Sequence, residues 1–95
     1  MSVARIGEFR AADGQGDALA AFLASIRTII LDAEGAISCE VLRDQADPNR
    51  FLVIERWQTA EAHQASVKNI PPDLFKQAMA LFAATPKGSY FDSVA

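Results

Sequence analysis

Ninety-five residues, 51% of them apolar and 22% charged, have the size and balance of an ordinary globular protein, so residues 1–95 are predicted to form a single domain. The formal net charge of −3 and the scattered lysines and arginines give no electrostatic basis for binding nucleic acid or a membrane surface. The lone cysteine, Cys39, excludes an internal disulfide and is expected to be a small buried hydrophobe. Because the sequence shows no apolar leader and no bilayer-spanning run, the predicted location is the cytoplasm.

The first half of the chain predicts a strand, a helix and a second strand. Residues 3–11 have the alternation of a strand, although several charged side chains make it imperfect. From residue 17 to residue 33 the apolar period becomes helical, and Gly35 is the natural C-terminal cap of that helix. Residues 36–45 alternate again and predict the second strand.

The stretch that follows predicts a turn and a third strand. Asp47-Pro48-Asn49 has turn chemistry, and the short connection predicts that residues 50–58 form an antiparallel hairpin with the second strand. Phe51-Leu52-Val53-Ile54 has no polar alternation. Since successive side chains of a strand point to opposite faces, this strand needs apolar cover on both faces of its sheet.

The last third of the chain predicts two helices and a final strand. Thr59 is a credible N-cap for a short, weakly apolar helix that a pair of prolines ends. Residues 73–84 restart with a broad apolar face, in which Met79 and Phe82 are expected to be core residues. Residues 89–94 form the predicted last strand.

The order of these elements, β-α-β-β-α(α)-β, predicts an α+β fold of the ferredoxin-like type. Its four-stranded antiparallel sheet has helices on one face only. The doubly apolar third strand would then leave a large apolar patch on the other face, which is unusual for a monomer. We therefore expect a homodimer in which two sheets pack face to face about a two-fold axis.

Three stretches carry a resemblance to a known family: Gly35-Ala36-Ile37-Ser38, Leu42-Arg43-Asp44 with Asp47-Pro48-Asn49-Arg50, and Phe51-Leu52-Val53-Ile54-Glu55-Arg56-Trp57. They resemble the antibiotic biosynthesis monooxygenase family of the dimeric α/β barrel superfamily, and the order of elements fits over nearly the whole chain. The resemblance implies a dimeric α/β barrel. It also implies one of several activities: oxygenation of aromatic polyketide quinols without a cofactor, haem degradation, or isomerisation.

The sequence departs from the family pattern on the second helix. Many members carry a histidine there at the position of Ser66, whereas the only histidine of this chain, His63, stands one turn earlier. Residues three apart lie on roughly the same helix face, so the resemblance makes His63 the candidate general base. The alternative is an exposed helix histidine with no task. Ser66 is a candidate hydroxyl in the substrate pocket.

Four further residues complete the predicted site. Trp57 is a candidate aromatic wall and N–H donor, or else a residue that packs the strand against the helix. Tyr90 is a candidate proton donor, or else a tyrosine of the dimer interface. Phe51 and Glu55 are candidate substrate contacts. Surface ion pairing is the alternative for Glu55, as it is for Glu40 and the two arginines of the third strand.

The resemblance implies, for these residues, oxygenation of a small aromatic quinol or enol with no cofactor and no metal. One histidine and one cysteine cannot build a histidine- or thiolate-rich metal site. Haem chemistry is disfavoured because Val67 stands where haem-degrading members would have their axial histidine. Two alternatives stay open: an isomerase or tautomerase that uses His63 as its base, and a non-catalytic protein that binds a small ligand.

Overall fold

The computed structural model describes residues 2–95, which form four strands and three helices. In chain order they are β1 (Val3–Arg10), α1 (Gly16–Asp32), β2 (Ala36–Arg43), β3 (Arg50–Trp57), α2 (Ala60–Val67), α3 (Pro72–Leu81) and β4 (Lys87–Phe91). The strands lie in the order β2-β3-β1-β4, and all neighbours are antiparallel. This arrangement confirms the predicted ferredoxin-like α+β fold, with a sheet that stays open within one chain.

Local sequence explains where the later elements begin and end. The Thr59 hydroxyl accepts a hydrogen bond of 3.1 Å from the Ala62 backbone N–H, which confirms the predicted N-cap of α2. Helix α3 begins with Pro72, whose missing N–H costs nothing in the first turn. The prediction ran this helix three residues too far and set β4 two residues too late, and Val94 lies outside β4 with 99% of its surface exposed.

The predicted cap of α1 is wrong. The helix ends at Asp32, and the N–H of Ala33 bonds to the Ile30 carbonyl. Gly35 instead forms the turn into β2 with φ of +87°, where a Cβ atom would also lie 2.7 Å from the Cβ of Ala62. Glycine is therefore needed here both for its backbone conformation and for the close approach of α2.

The burial pattern of the third strand shows which side chains lie on each face of the sheet. Its side chains alternate strictly between buried and half-buried. Phe51, Val53, Glu55 and Trp57 face the helices, whereas the side chains between them face away. Strand β3 is therefore apolar on both faces in its first half, as the run of residues 51–54 predicted.

The core lies between the sheet and α1. Leu19 and Leu23 of that helix are buried in one cluster with Cys39, Phe51 and Val53. Cys39 is thus the buried hydrophobe that was expected.

Of the two apolar side chains near α3 that were expected in the core, one is packed there and the other is exposed. The ring of Phe82 packs 5.6 Å from that of Phe9, centroid to centroid, which confirms its prediction. Met79 is 73% exposed within one chain, so the prediction of a core methionine is wrong.

The other face of the sheet carries a patch, the open face, with no element of residues 2–95 packed over it. Its apolar residues are Ala4, Ile6, Leu42, Leu52, Ile54 and Phe91. Leu42 and Phe91 keep 38% and 49% of their surface exposed. None of the helices that residues 2–95 form is long and apolar enough to cross a membrane.

Ion pairs of arginines with carboxylates surround one end of the sheet. Arg50 pairs with Glu8 at 3.0 Å and with Asp44 at 3.2 Å, and Arg10 pairs with Asp47 at 2.7 Å. The expected pairing of Glu40 with an arginine of the third strand is wrong, because Glu40 lies opposite Ile54 in the β2–β3 register.

Candidate functional site

A cavity of about 630 Å³ lies against the covered face of β1 and is bounded by all three helices. Of its seventeen lining residues, fourteen are apolar, among them Phe9, Phe22, Ile26, Val67, Phe75 and Met79. The three polar ones are Arg5, His63 and Thr85. Its size suits a small aromatic molecule, and the few polar groups can fix the orientation of such a ligand.

His63 connects this cavity with the polar residues beneath it. Its Nδ1 atom lies 2.6 Å from the hydroxyl oxygen of Tyr90, a short hydrogen bond. The imidazole also packs edge to face between two rings, with centroid distances of 5.5 Å to both Trp57 and Tyr90. The bond at Nδ1 leaves Nε2 as the nitrogen that is free to meet a ligand.

The protonation state of His63 follows from its surroundings. Burial, and secondarily the positive charge of Arg5, lower the pKa of His63 from its usual value of 6.5. The imidazole is therefore neutral at pH 7 and can accept a proton. His63 is also half-buried, so it is not the exposed helix residue that the alternative expected.

Trp57 lies under the histidine without reaching the cavity wall. It is fully buried, and its Nε1–H donates a 2.8 Å hydrogen bond to Oε1 of Glu55. Within one chain the structure thus matches the packing alternative for Trp57, since its edge contact with His63 holds the ring against the sheet.

Glu55 is a buried carboxyl group, so the surface ion pair considered for it is wrong. Only 8% of the residue is exposed. Burial raises the pKa of Glu55, while the Trp57 N–H and the Arg5 charge act in the opposite direction. Its strand neighbour Cys39 is affected in the same sense, because burial and the nearby Glu55 charge raise the pKa of that thiol to about 11.

Tyr90 faces the helices and not the open face. In the β1–β4 register it lies opposite Arg5, on the covered side of the sheet. Tyr90 therefore does not lie on the face where two sheets are expected to pack, and Phe91 is the aromatic residue of β4 that faces outward.

Arg5 is the site residue that sequence reasoning missed. Its guanidinium carbon lies 4.8 Å from the centroid of the Tyr90 ring, and the side chain lines the cavity. The signal was present: Arg5 and Phe9 are four residues apart in one strand and so share a face, which made a cation on the covered side foreseeable.

A comparison with protein-family models decides the relationship. The model of the antibiotic biosynthesis monooxygenase family matches residues 2–81. The chain belongs to the antibiotic biosynthesis monooxygenase family. No curated protein matches the chain at a significant level.

Solved structures share the fold of this family member over its whole length. A protein of Chloroflexus aurantiacus J-10-fl, provisionally named an antibiotic biosynthesis monooxygenase, is 30% identical, with 100% of this chain and 95% of that chain covered and a TM-score of 0.81. A protein of Bordetella bronchiseptica with the same provisional name is 19% identical, with 99% and 98% covered and a TM-score of 0.86. The cofactor-independent oxygenase SnoaB of Streptomyces nogalater is 16% identical, with 99% and 94% covered and a TM-score of 0.79.

The structure places the two remaining candidates of this family member away from the cavity wall. The Ser66 hydroxyl donates to the backbone carbonyl of His63 at 2.7 Å, within α2. Phe51 is 1% exposed in the core, with the Arg43 guanidinium 5.2 Å from its ring centroid. His63, and not Ser66, is therefore the polar residue of α2 that lines the cavity.

Among residues 2–95, no group of three or more His, Cys, Asp or Glu side chains is arranged to hold a metal ion. The imidazole of His63 and the guanidinium of Arg5 line the cavity, and the phenol of Tyr90 contacts both from outside the wall. Together they can accept a proton, relay it over a short hydrogen bond and stabilise an oxyanion.

Proposed function

We propose that this protein is a monooxygenase that oxidises a small aromatic quinol or enol without a cofactor. The observation that carries the proposal is the neutral His63 imidazole, hydrogen-bonded to Tyr90 and set in the wall of a largely apolar cavity. Family membership and the fold shared with a cofactor-independent oxygenase support it. The expected roles are His63 as general base, Tyr90 as its hydrogen-bonding partner and Trp57 as the residue that positions the imidazole.

The reaction needs only a proton acceptor and dioxygen as co-substrate. Nε2 of His63 takes the proton of the substrate hydroxyl, and the resulting enolate or phenolate passes one electron to dioxygen. The substrate radical and superoxide combine to form a carbon–oxygen bond, and the peroxide receives the proton from His63. Loss of water, made from the distal hydroxyl and the hydrogen on the same carbon, leaves a carbonyl group. One oxygen atom enters the product and the other leaves as water.

We further propose that a second copy of the chain covers the open face. The apolar side chains at its centre are flanked by charges of both signs, with Glu8, Glu40, Arg50 and Arg56 on the same side of the sheet. A surface with charges of both signs can pair with a copy of itself, as a two-fold interface requires. Burying Leu42 and Phe91, which are exposed within one chain, would favour the pairing.

Oxygen uptake tests the proposed activity. With a panel of naphthoquinols and anthraquinols, we expect uptake above the non-enzymatic rate, and His63→Ala should lower it by about 10²- to 10⁴-fold, the usual contribution of a general base. Gln64→Ala, the exposed neighbour on α2, is the matched control and should keep the wild-type rate.

Each other outcome of the same experiment points to a different function. Turnover that persists without oxygen and depends on His63 would indicate the isomerase or tautomerase alternative. Tight binding of a panel member with no product, unchanged in His63→Ala, would indicate a non-catalytic binding protein. Uptake at the non-enzymatic rate for every compound would contradict the oxygenase.

A further inference from the structure

Arg5 is a cation in a largely apolar cavity that has no carboxylate within ion-pair distance among residues 2–95. Its side chain is half-buried and is one of only three polar side chains on the cavity wall. Within residues 2–95 it forms no ion pair with a carboxylate, and none of the side-chain hydrogen bonds involves it. Three other arginines, Arg10, Arg43 and Arg50, each form an ion pair with a carboxylate. Leaving a partly desolvated guanidinium unpaired is costly unless a ligand supplies the anion.

The strand register places a carboxylate opposite Arg5, but the two side chains do not form an ion pair. In the β1–β3 pairing Arg5 lies directly opposite Glu55 on the same face of the sheet. The Glu55 carboxylate instead accepts from Trp57, and the guanidinium lies over the Tyr90 ring on the other neighbouring strand. The positive charge is thereby held over the ring whose hydroxyl bonds to His63.

A glycine makes room for this position. A Cβ atom on Gly88 would overlap the Arg5 guanidinium, with its nitrogen and carbon atoms as the nearest neighbours. Gly88 lies two residues before Tyr90 and hence on the same face of β4. The small residue at 88 and the flat ring at 90 together form the support on which the guanidinium rests.

From this geometry we propose that Arg5 binds an oxyanion of the substrate, so that the protein selects anionic aromatic hydroxy compounds. The anion has two possible sources: a carboxylate substituent, which matches the fork of an arginine, or the phenolate oxygen itself. This inference rests on the proposed function for the identity of the site. Its test is a binding measurement that needs no turnover. The anion-binding inference and the proposed oxygenase activity can therefore fail separately.

The carboxylate source is tested with naphthalene-2-carboxylate and its neutral isostere naphthalene-2-carboxamide. By calorimetry we expect the wild-type protein to bind the carboxylate about tenfold more tightly, and Arg5→Gln to bind both ligands equally. Lys76→Gln, which removes one exposed positive charge of α3 outside the cavity, is the matched control and should keep the preference.

The phenolate source is tested with 4-nitro-1-naphthol, whose ionised form is coloured. If Arg5 binds the phenolate, the naphthol should ionise at lower pH when bound to the wild-type protein than when bound to Arg5→Gln. An anion preference that depends on Arg5 for either ligand supports the proposal and identifies the source. The same affinity for acid and amide in the wild type, together with no shift of the naphthol, would overturn it.

Two further measurements separate a charge effect from a loss of structure. Gly88→Ala keeps Arg5 but displaces its flexible guanidinium, so it should lose the anion preference as Arg5→Gln does. In NMR titration of the only histidine, Arg5→Gln should raise the pKa of His63, because the Arg5 charge is one of the two causes that lower it. The other ionisable groups near the imidazole are Tyr90 and, behind Trp57, Glu55, and both are unchanged in the variant.

Discussion

The two faces of the sheet use polar groups in opposite ways. On the covered face Glu55, Trp57, His63, Tyr90 and Arg5 follow one another in contact, buried or half-buried, and the pKa values of both Glu55 and His63 depart from their ordinary values. On the open face the centre is apolar, and charges at its end are neutralised by partners. Perturbed groups beside a cavity are typical of chemistry, whereas an apolar patch with paired charges is typical of association.

The largest effect is expected from a substitution on the open face. Ile54→Glu places a carboxylate at the centre of the proposed interface, where it would be desolvated without a partner. We expect the dimer to be lost over the whole accessible concentration range, as measured by light scattering. Leu31→Glu, an exposed apolar residue on α1, should leave the mass unchanged. A wild-type protein of single-chain mass at these concentrations would contradict the pairing of sheets.

The next largest effect is expected from a substitution on the covered face. Trp57→Ala removes the largest fully buried side chain and leaves the Glu55 carboxyl without its N–H donor. We expect a loss of about 3–5 kcal/mol in the free energy of unfolding, measured in urea. Trp57→Phe retains most of the volume and should lose clearly less. If Trp57→Ala and Trp57→Phe lost the same free energy of unfolding, the volume of the side chain at position 57 would not be what stabilises the fold there.

A smaller effect concerns the pH dependence of stability. Because burial raises the pKa of Glu55 in the folded protein, the native state binds the proton more readily than the unfolded chain does. Glu55 therefore makes the wild type more stable as the pH falls from neutrality towards 4.5, the usual value for glutamate. Glu55→Gln keeps an acceptor for Trp57 and should remove this slope from urea-unfolding curves. If the free energy of unfolding changed with pH in the same way in the wild type and in Glu55→Gln, the assigned rise in the pKa of Glu55 would be contradicted.

The covered and open faces also differ in how much the sequence alone could predict. The open face was foreseeable because the run from Phe51 to Ile54 leaves no polar side for β3. The order and type of the elements followed from their apolar periods, since periods of 2 and 3.6 residues are local properties. Met79 was misplaced because an apolar helix face can equally line a cavity.

The contacts of the site depend on pairing between distant segments. Strand β1 lies between β3 and β4, and only this order brings Arg5 beside Tyr90 and within reach of the His63 environment. His63 became a candidate base through its position on α2 and the family resemblance, but its hydrogen bond to Tyr90, 27 residues away, could not be predicted. Helix packing over the sheet, and not any local motif, buries Glu55.

The central claim, that His63 is a neutral base in a partly buried site, is tested most directly by titrating its ring in the wild-type protein. The chain has one histidine, so a single imidazole signal reports on it. We predict a pKa below 6.5, and an oxygen-uptake rate that is constant at neutral pH and falls as the pH drops through that same value. A pKa at or above 6.5, or a rate that does not follow the titration of His63, would contradict the account.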